Sequence, residues 1–213
     1  MDNTIESQIS LGALCSKSWE DMKPFYWQAV IAGVIVSLLL YALNSFLPGI
    51  GLLAMPVNLG ISMLYLRGLQ DGNTNFNIIF EPFNNYGKNL LATLHIWGVP
   101  FLFNLLCFIP GIYFSLRYMQ ALYILAEEPE LTSSEAVERS GKLMEGHMWQ
   151  GLGYYLLFVF AMLIVGVCTF GLGGIFLAPF FGTFFANYYL QLKAEYEQRM
   201  SMEATPVAAE YAE

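Results

Sequence analysis

Ile31-Ala-Gly-Val-Ile-Val-Ser-Leu-Leu-Leu40 is apolar at almost every position and carries no charge. A lipid-facing β-strand alternates apolar and polar residues, and this run does not. In lipid, every backbone N–H and C=O must bond within its own segment unless a barrel closes. The stretch therefore predicts a membrane α-helix. Working outward, no Asp, Glu, Lys or Arg occurs from Pro24 to Leu66, and none from Asn89 to Leu116 or from Gly146 to Leu192. Each interval is long enough for two crossings and a tight turn, because one crossing takes about 20 residues at about 1.5 Å each.

Six segments follow: Tyr26–Leu47, Ile50–Leu69, Asn89–Ile109, Gly111–Ala126, Met148–Phe170 and Ile175–Ala194. The fourth is short and holds Arg117. Composition agrees, with 56% hydrophobic and 12% charged residues among 213, against roughly 25% charged in soluble domains. The fold expected is an all-α membrane protein with six transmembrane helices, in one domain over residues 1–200. A flexible acidic tail, residues 201–213, follows.

Positive charge sets orientation. Lys17, Lys23, Arg67, Lys88, Arg139, Lys142, Lys193 and Arg199 all fall on one side of the segments, and Arg117 alone breaks the pattern. The opposite turns, near Pro48–Gly51, Pro110–Gly111 and Gly171–Gly174, are uncharged. Both termini are expected in the cytoplasm. Asp2 and Glu6 replace the basic start of a cleavable signal peptide, so the first helix is expected to be its own insertion signal.

A repeat organises the chain. Phe46-Leu-Pro-Gly-Ile50 recurs 62 residues later as Phe108-Ile-Pro-Gly-Ile112, and Phe170-Gly-Leu-Gly-Gly-Ile175 lies another 62 on. Trp27-Gln28 recurs as Trp149-Gln150. Such a period marks a repeated supersecondary unit. Units of about 8–70, 71–130 and 131–200 each read as a cytoplasmic amphipathic helix, a span out, a Pro/Gly turn and a span back. In the first, Leu11, Leu14, Cys15, Trp19 and Met22 form one helical face. In the second, Phe76, Ile79, Phe80 and Phe83 do so, with Pro82 kinking or shortening the helix. In the third, Ala136, Ser140, Leu143 and His147 line one side. That helix also has a capping box, Thr132-Ser-Ser-Glu135, and two i,i+4 pairs, Glu135–Arg139 and Glu138–Lys142. It is expected to lie in the headgroup plane with its apolar face down. Ala29-x3-Gly33-x3-Ser37 and Ala178-x3-Gly182-x3-Ala186 put small residues on single faces, which suits helix packing.

Chemistry is sparse. Gly49-Ile-Gly51-Leu-Leu-Ala54 imitates a dinucleotide fingerprint but follows no strand. There is no nucleophile elbow and no phosphate-cradling loop, and no span contains Asp or Glu, so no enzyme and no cofactor are expected. A net charge of −8 argues against nucleic acid as a partner. Cys107 and Cys168 both fall near the outer ends of their helices, where they either pair or serve as small packing residues, and Cys15 is expected as a free thiol. His95 reads as a packed residue, because a metal needs several ligands.

The candidate ligand-binding set is Arg117, Asn58, Gln120, Asn187 and His95, polar groups inside apolar segments. Arg117 lies six residues past Gly111, about 9 Å from the turn. One reading has it donating to carbonyls freed by Pro56 and Pro179, or to Asn58 and Asn187. The other has it holding an anionic headgroup or substrate from the outer side. Two functions follow. The first is a scaffold or accessory factor for another membrane component. The second is a transporter or lipid-handling protein with a polar site at Arg117.

Ile109-Pro-Gly-Ile-Tyr-Phe-Ser-Leu-Arg-Tyr118, Ala121-Leu-Tyr-Ile-Leu-Ala126, Pro129-x-Leu131, Glu135-Ala136, Ser140, Met144 and Gly146-His147 together resemble the membrane family catalogued as domain of unknown function 975, and Phe185-Ala-Asn-Tyr-Tyr189 also fits. The resemblance implies a polytopic protein of the bacterial inner membrane, often of six spans. It supplies no activity and no catalytic residues.

Overall fold

The computed structural model describes residues 10–46, 50–72, 74–106, 108–169 and 173–210, and among these all regular structure is helical. The α-helices are α1 (Leu11–Met22), α2 (Tyr26–Phe46), α3 (Pro56–Gln70), α4 (Tyr86–Leu106), α5 (Phe108–Tyr118), α6 (Ala121–Glu127), α7 (Ser133–Met144), α8 (Met148–Cys168) and α9 (Gly173–Glu210). A 3₁₀ helix, Phe76–Asn85, leads into α4. Among the described residues, three helical runs are long and apolar enough to cross a membrane: Leu52–Gln70, Phe76–Leu106 and Met148–Cys168. The turns at Pro48–Gly49 and Gly171, and Cys107, lie outside the described residues.

α9 is the common partner. It packs against α1, α2, α3, α7 and α8. Its buried residues include Phe184, Ala186, Tyr188, Tyr189 and Leu192. The α8 side is an aromatic stack, with Phe158 edge-on to Phe184 at 4.6 Å and Tyr154 edge-on to Tyr188 at 5.3 Å. Such pairs add to plain area burial. The pairs α4–α5 and α8–α9 are close hairpins, whereas α2 and α3 instead meet α9 through the cluster Phe25, Ala29, Tyr65 and Ala186. Of the two small-residue stripes, the second works at two of its three positions, since Gly182 receives the Tyr65 ring and Ala186 is buried, while Ala178 is exposed. In the first only Ala29 is buried, and Gly33 faces open space.

The three amphipathic segments depart from expectation in informative ways. On α1 the buried line is Leu14, Ser18 and Met22, while Trp19 is 54% exposed. The polar side of α9 selects that line: the Asn187 amide donates to Ser18 Oγ (3.3 Å) and Asp21 Oδ2 (3.1 Å). In the second unit, Pro82 removes a donor and crowds an α-turn, and the chain winds at three residues per turn instead. That period aligns Phe76, Ile79 and Pro82. It sends Phe80 and Phe83 outward, where Phe83 stacks on Tyr86. Ile79 lies so close to α3 that a Cβ on Gly60 would overlap its carbonyl. The bidentate Arg67–Glu81 pair (2.7 and 2.8 Å) closes the same contact.

The third segment needs the largest correction. Ala136, Val137, Ser140, Gly141, Leu143 and Met144 of α7 are buried, but against α4, α5 and α6 rather than turned toward headgroups. The capping box is present in full. It consumes Glu135, which accepts from the Thr132 N–H and hydroxyl, so Arg139 pairs with Glu128 (2.7 Å) instead of Glu135. Glu138–Lys142 forms as expected at 2.8 Å. His147 lies beyond the helix, as the residue before α8.

A test of the α3 contact follows from Gly60. Gly60→Ala should cost about 1–3 kcal/mol through overpacking and lower the melting temperature in detergent. Gly87→Ala, where a Cβ meets open space, should cost nothing. Equal melting of the two variants would refute the contact.

Candidate functional site

The fourth apolar segment is not one helix. α5 ends at Tyr118 and α6 begins at Ala121, with the Met119 N–H turned back to the Leu116 carbonyl at 3.2 Å. In an unbroken helix the Arg117 carbonyl would accept from residue 121 and the Gln120 N–H would donate to residue 116. A buried break must find other partners. Ser140 of α7 supplies both: its hydroxyl donates to the Arg117 carbonyl (2.6 Å) and accepts from the Gln120 N–H (3.2 Å). Ser140 is completely buried. Gly141 beside it leaves space for the Arg117 side chain, whose Nε would lie 2.7 Å from any Cβ there.

Three of the five sequence-predicted residues meet at this junction. His95 Nδ1 lies 3.0 Å from Ser133 Oγ at the start of α7, and its ring is edge-on to Tyr118 at 5.9 Å. Arg117 and Gln120 flank the break. The Gln120 side chain is fully buried, and neither its Oε1 nor its Nε2 has a hydrogen-bond partner among the described residues. The other two are elsewhere. Asn58 is exposed and donates to the Met55 carbonyl (3.2 Å), while Asn187 bonds to α1. Pro179 removes the donor to the Ile175 carbonyl, and no hydrogen bond from Arg117 reaches that carbonyl among the described residues, while the Pro179 carbonyl itself accepts from the Thr183 hydroxyl at 2.9 Å. Arg117 thus keeps neither set of expected partners. Among the described residues no carboxylate lies within ion-pair distance of it.

A second polar centre escaped the sequence reading. Glu127, at the end of α6, accepts from Tyr189 (2.6 Å), Lys193 (2.8 Å) and Gln70 (3.2 Å), so it joins α3, α6 and α9. Burial raises its pKa, but the hydrogen bonds from Lys193 and Tyr189 outweigh that and hold the carboxyl below its ordinary 4.5. The signal was the pair Glu127-Glu128 directly after an apolar run, but nothing in the sequence indicated that Lys193 is its partner. Among the described residues, no three His, Cys, Asp or Glu side chains are placed to hold a metal ion.

Two outcomes are expected. Ser140→Ala leaves a buried carbonyl and N–H without partners, which costs about 1–3 kcal/mol. Hydrogen exchange should accelerate at Gln120, and unchanged exchange there would refute the seal. Glu127 has a depressed folded pKa, so its contribution is present above 4.5 and lost as pH falls through the lower folded value. Thermal melts should show the stability advantage of wild type over Glu127→Gln shrinking below about pH 4.5. An advantage that grows with acid would overturn the assignment.

No curated protein and no solved structure matches the chain. One family, described as a protein of unknown function (DUF975), matches residues 23–196. That interval holds every helix from α2 to α8, the sealed break, Arg117 and the Glu127 centre, and it places this chain in the DUF975 family.

Proposed function

We propose that this protein is a non-catalytic, multi-pass component of the bacterial inner membrane that scaffolds or assists another membrane component. Its three repeat units enter the membrane with charged bases in the cytoplasm, where both termini lie, and with bare Pro/Gly turns away from it. The lipid-facing surface is the exposed apolar set on α2, α4 and α8, including Ile35, Leu38, Leu102, Leu105, Phe160 and Leu163. The observation that carries the reading is the seating of α7. Its inner face is used up inside the protein, while Glu138, Arg139, Lys142 and Glu145 remain exposed along its outer side. A rigid helix with an alternating-charge edge suits a partner recognised by complementary charge, whose encounter weakens with salt.

A photo-crosslinking amino acid at Glu138 or Lys142 in living cells should give a discrete adduct to one membrane protein. The same probe at lipid-facing Leu163 should give none. Recovery of the protein alone in mild detergent, with no adduct at either α7 position, would refute the scaffold reading.

That Arg117 has no ion-pair partner among the described residues favours a second reading, in which the protein handles an anionic amphiphile at the α5–α7 junction.

A further inference from the structure

We infer that the α4–α5 hairpin enters only one leaflet, and that Arg117 binds the phosphate of an anionic phospholipid at the headgroup level of that leaflet. The inference deepens the second reading above and rests on the membrane placement proposed there.

Depth is the first argument. α7 crosses the hairpin at His95 on α4 and Arg117 on α5. The exposed charges of α7 cannot lie in hydrocarbon, so this crossing marks the water boundary. Exposed Trp97 agrees, since indoles collect at the headgroup level. Beyond the boundary, α5 offers only the nine residues back to Phe108, about 14 Å, and α4 the eleven from His95 to Leu106, about 16 Å. A hydrocarbon core is about 30 Å thick. α8 starts just beyond the other end of α7 and runs from Met148 to Cys168, twenty steps or about 30 Å. Of two hairpins that flank α7, one therefore has full reach and one has half. The first part of the long apolar run Phe76–Leu106 does not add depth, because the 3₁₀ helix packs on α3 and Lys88 bonds to the Pro129 carbonyl (2.7 Å), below the α7 crossing. On the part beyond, Phe101, Leu102, Leu105 and Leu106 are all more than half exposed, as a face turned to lipid requires.

Charge is the second argument. From Arg67 onward, every other Lys and Arg has a described partner. Arg67 pairs with Glu81, Lys88 with the Pro129 carbonyl, Arg139 with Glu128, Lys142 with Glu138, Lys193 with Glu127, and Arg199 with Glu195. Among the described residues Arg117 has none, and the nearby carboxylate of Glu138 is already held by Lys142. A half-buried guanidinium at the headgroup level, its stem seated over Gly141, meets one abundant complementary group, a lipid phosphodiester, which it can grip through two N–H donors. This moves the ligand expected on the outer side to the side of α7.

Topology and ligand are tested separately. With Cys15, Cys107 and Cys168 replaced by Ser, single cysteines are placed by Ile112→Cys, Gly174→Cys and Glu138→Cys. A membrane-impermeant maleimide is applied to intact cells and to inverted vesicles. Gly174→Cys should label from one side, Glu138→Cys from the other, and Ile112→Cys from neither. Labelling of Ile112→Cys from the side of Gly174→Cys means a full crossing and overturns the half-depth hairpin. Failure of the Gly174 and Glu138 reporters to label from opposite sides sinks the membrane placement itself, a distinct outcome. For the ligand, protein is reconstituted in vesicles of equal phosphatidylglycerol and phosphatidylcholine, then released for native mass spectrometry. Arg117→Gln should retain roughly tenfold less phosphatidylglycerol than wild type, with phosphatidylcholine unchanged. Arg117→Lys, which keeps the charge but loses the fork, should fall between, and it serves as the readout if Arg117→Gln does not fold. Equal phosphatidylglycerol retention by the variants and wild type overturns the site. Displacement by inorganic phosphate assigns it to the free ion and overturns the lipid.

Discussion

The seal that Ser140 makes across the α5–α6 break is the interaction on which this architecture turns. A helix interrupted away from water leaves a carbonyl and an N–H that lipid cannot satisfy. One hydroxyl satisfies both here, donating to Arg117 and accepting from Gln120. Because the break is sealed, the chain can change course at residue 119. α5 stays with α4, and α6 turns to α3 and α7. The redirection carries Glu127 to Gln70, Tyr189 and Lys193, and so ties the middle of the chain to the long C-terminal helix. Without the break, α5 and α6 would form one straight rod and Glu127 could not reach that place.

Burial around the break is therefore divided by chemistry. The apolar core of α9, α8 and α3 is packed by aromatic and aliphatic side chains, with Phe184 and Tyr188 fully buried. Among the polar groups within it, Thr93 and Thr183 donate within one helical turn, to the Asn89 and Pro179 carbonyls, whereas Asn187 reaches across to Ser18 and Asp21 of α1. Gln120, at the break, is the one side chain among the described residues with both of its polar ends buried and without a partner. An unsatisfied buried amide costs about 1–3 kcal/mol. The well-packed helices on either side of the break must offset that cost.

Much of the fold was legible in the sequence because its controlling signals are local. Apolar length predicts spans at Ile50–Leu69 and Met148–Phe170, where helices long and apolar enough to cross a membrane run over Leu52–Gln70 and Met148–Cys168, and Thr132 and Glu135 predict the start of α7. Gly182 and Ala186 mark a close helix contact. What was not legible depends on pairings distant in the chain. The partner of Glu127 lies 66 residues away at Lys193, and that of Asn187 lies 166 away at Asp21. The face of α7 was legible, but what it covers was not, since a helix in headgroups and a helix on protein need the same apolar period. The phase of the Phe76–Asn85 segment failed for a different reason. An α-helical period was applied to a proline-bearing stretch that winds at three residues per turn.

The seating of α7 also links the base of the protein to its apolar helices. At one end of α7, Ser133 holds His95 of α4, and in the middle Ser140 holds the break. At the other end, Gly146 turns the chain with φ +85 and delivers His147 to Glu195 of α9 at 3.1 Å. The Tyr188 hydroxyl closes the same corner on the His147 carbonyl. α7 cannot tilt away from α5 without exposing the Arg117 carbonyl and the Gln120 N–H, and cannot slide along α9 without breaking the His147 corner. Force applied to its exposed charged edge must therefore reach α4, α5 and α9 together. A short, highly polar helix with a mere twelve residues can act as the rigid keystone of a membrane domain because its few polar contacts sit where the surrounding backbone has no alternative partner.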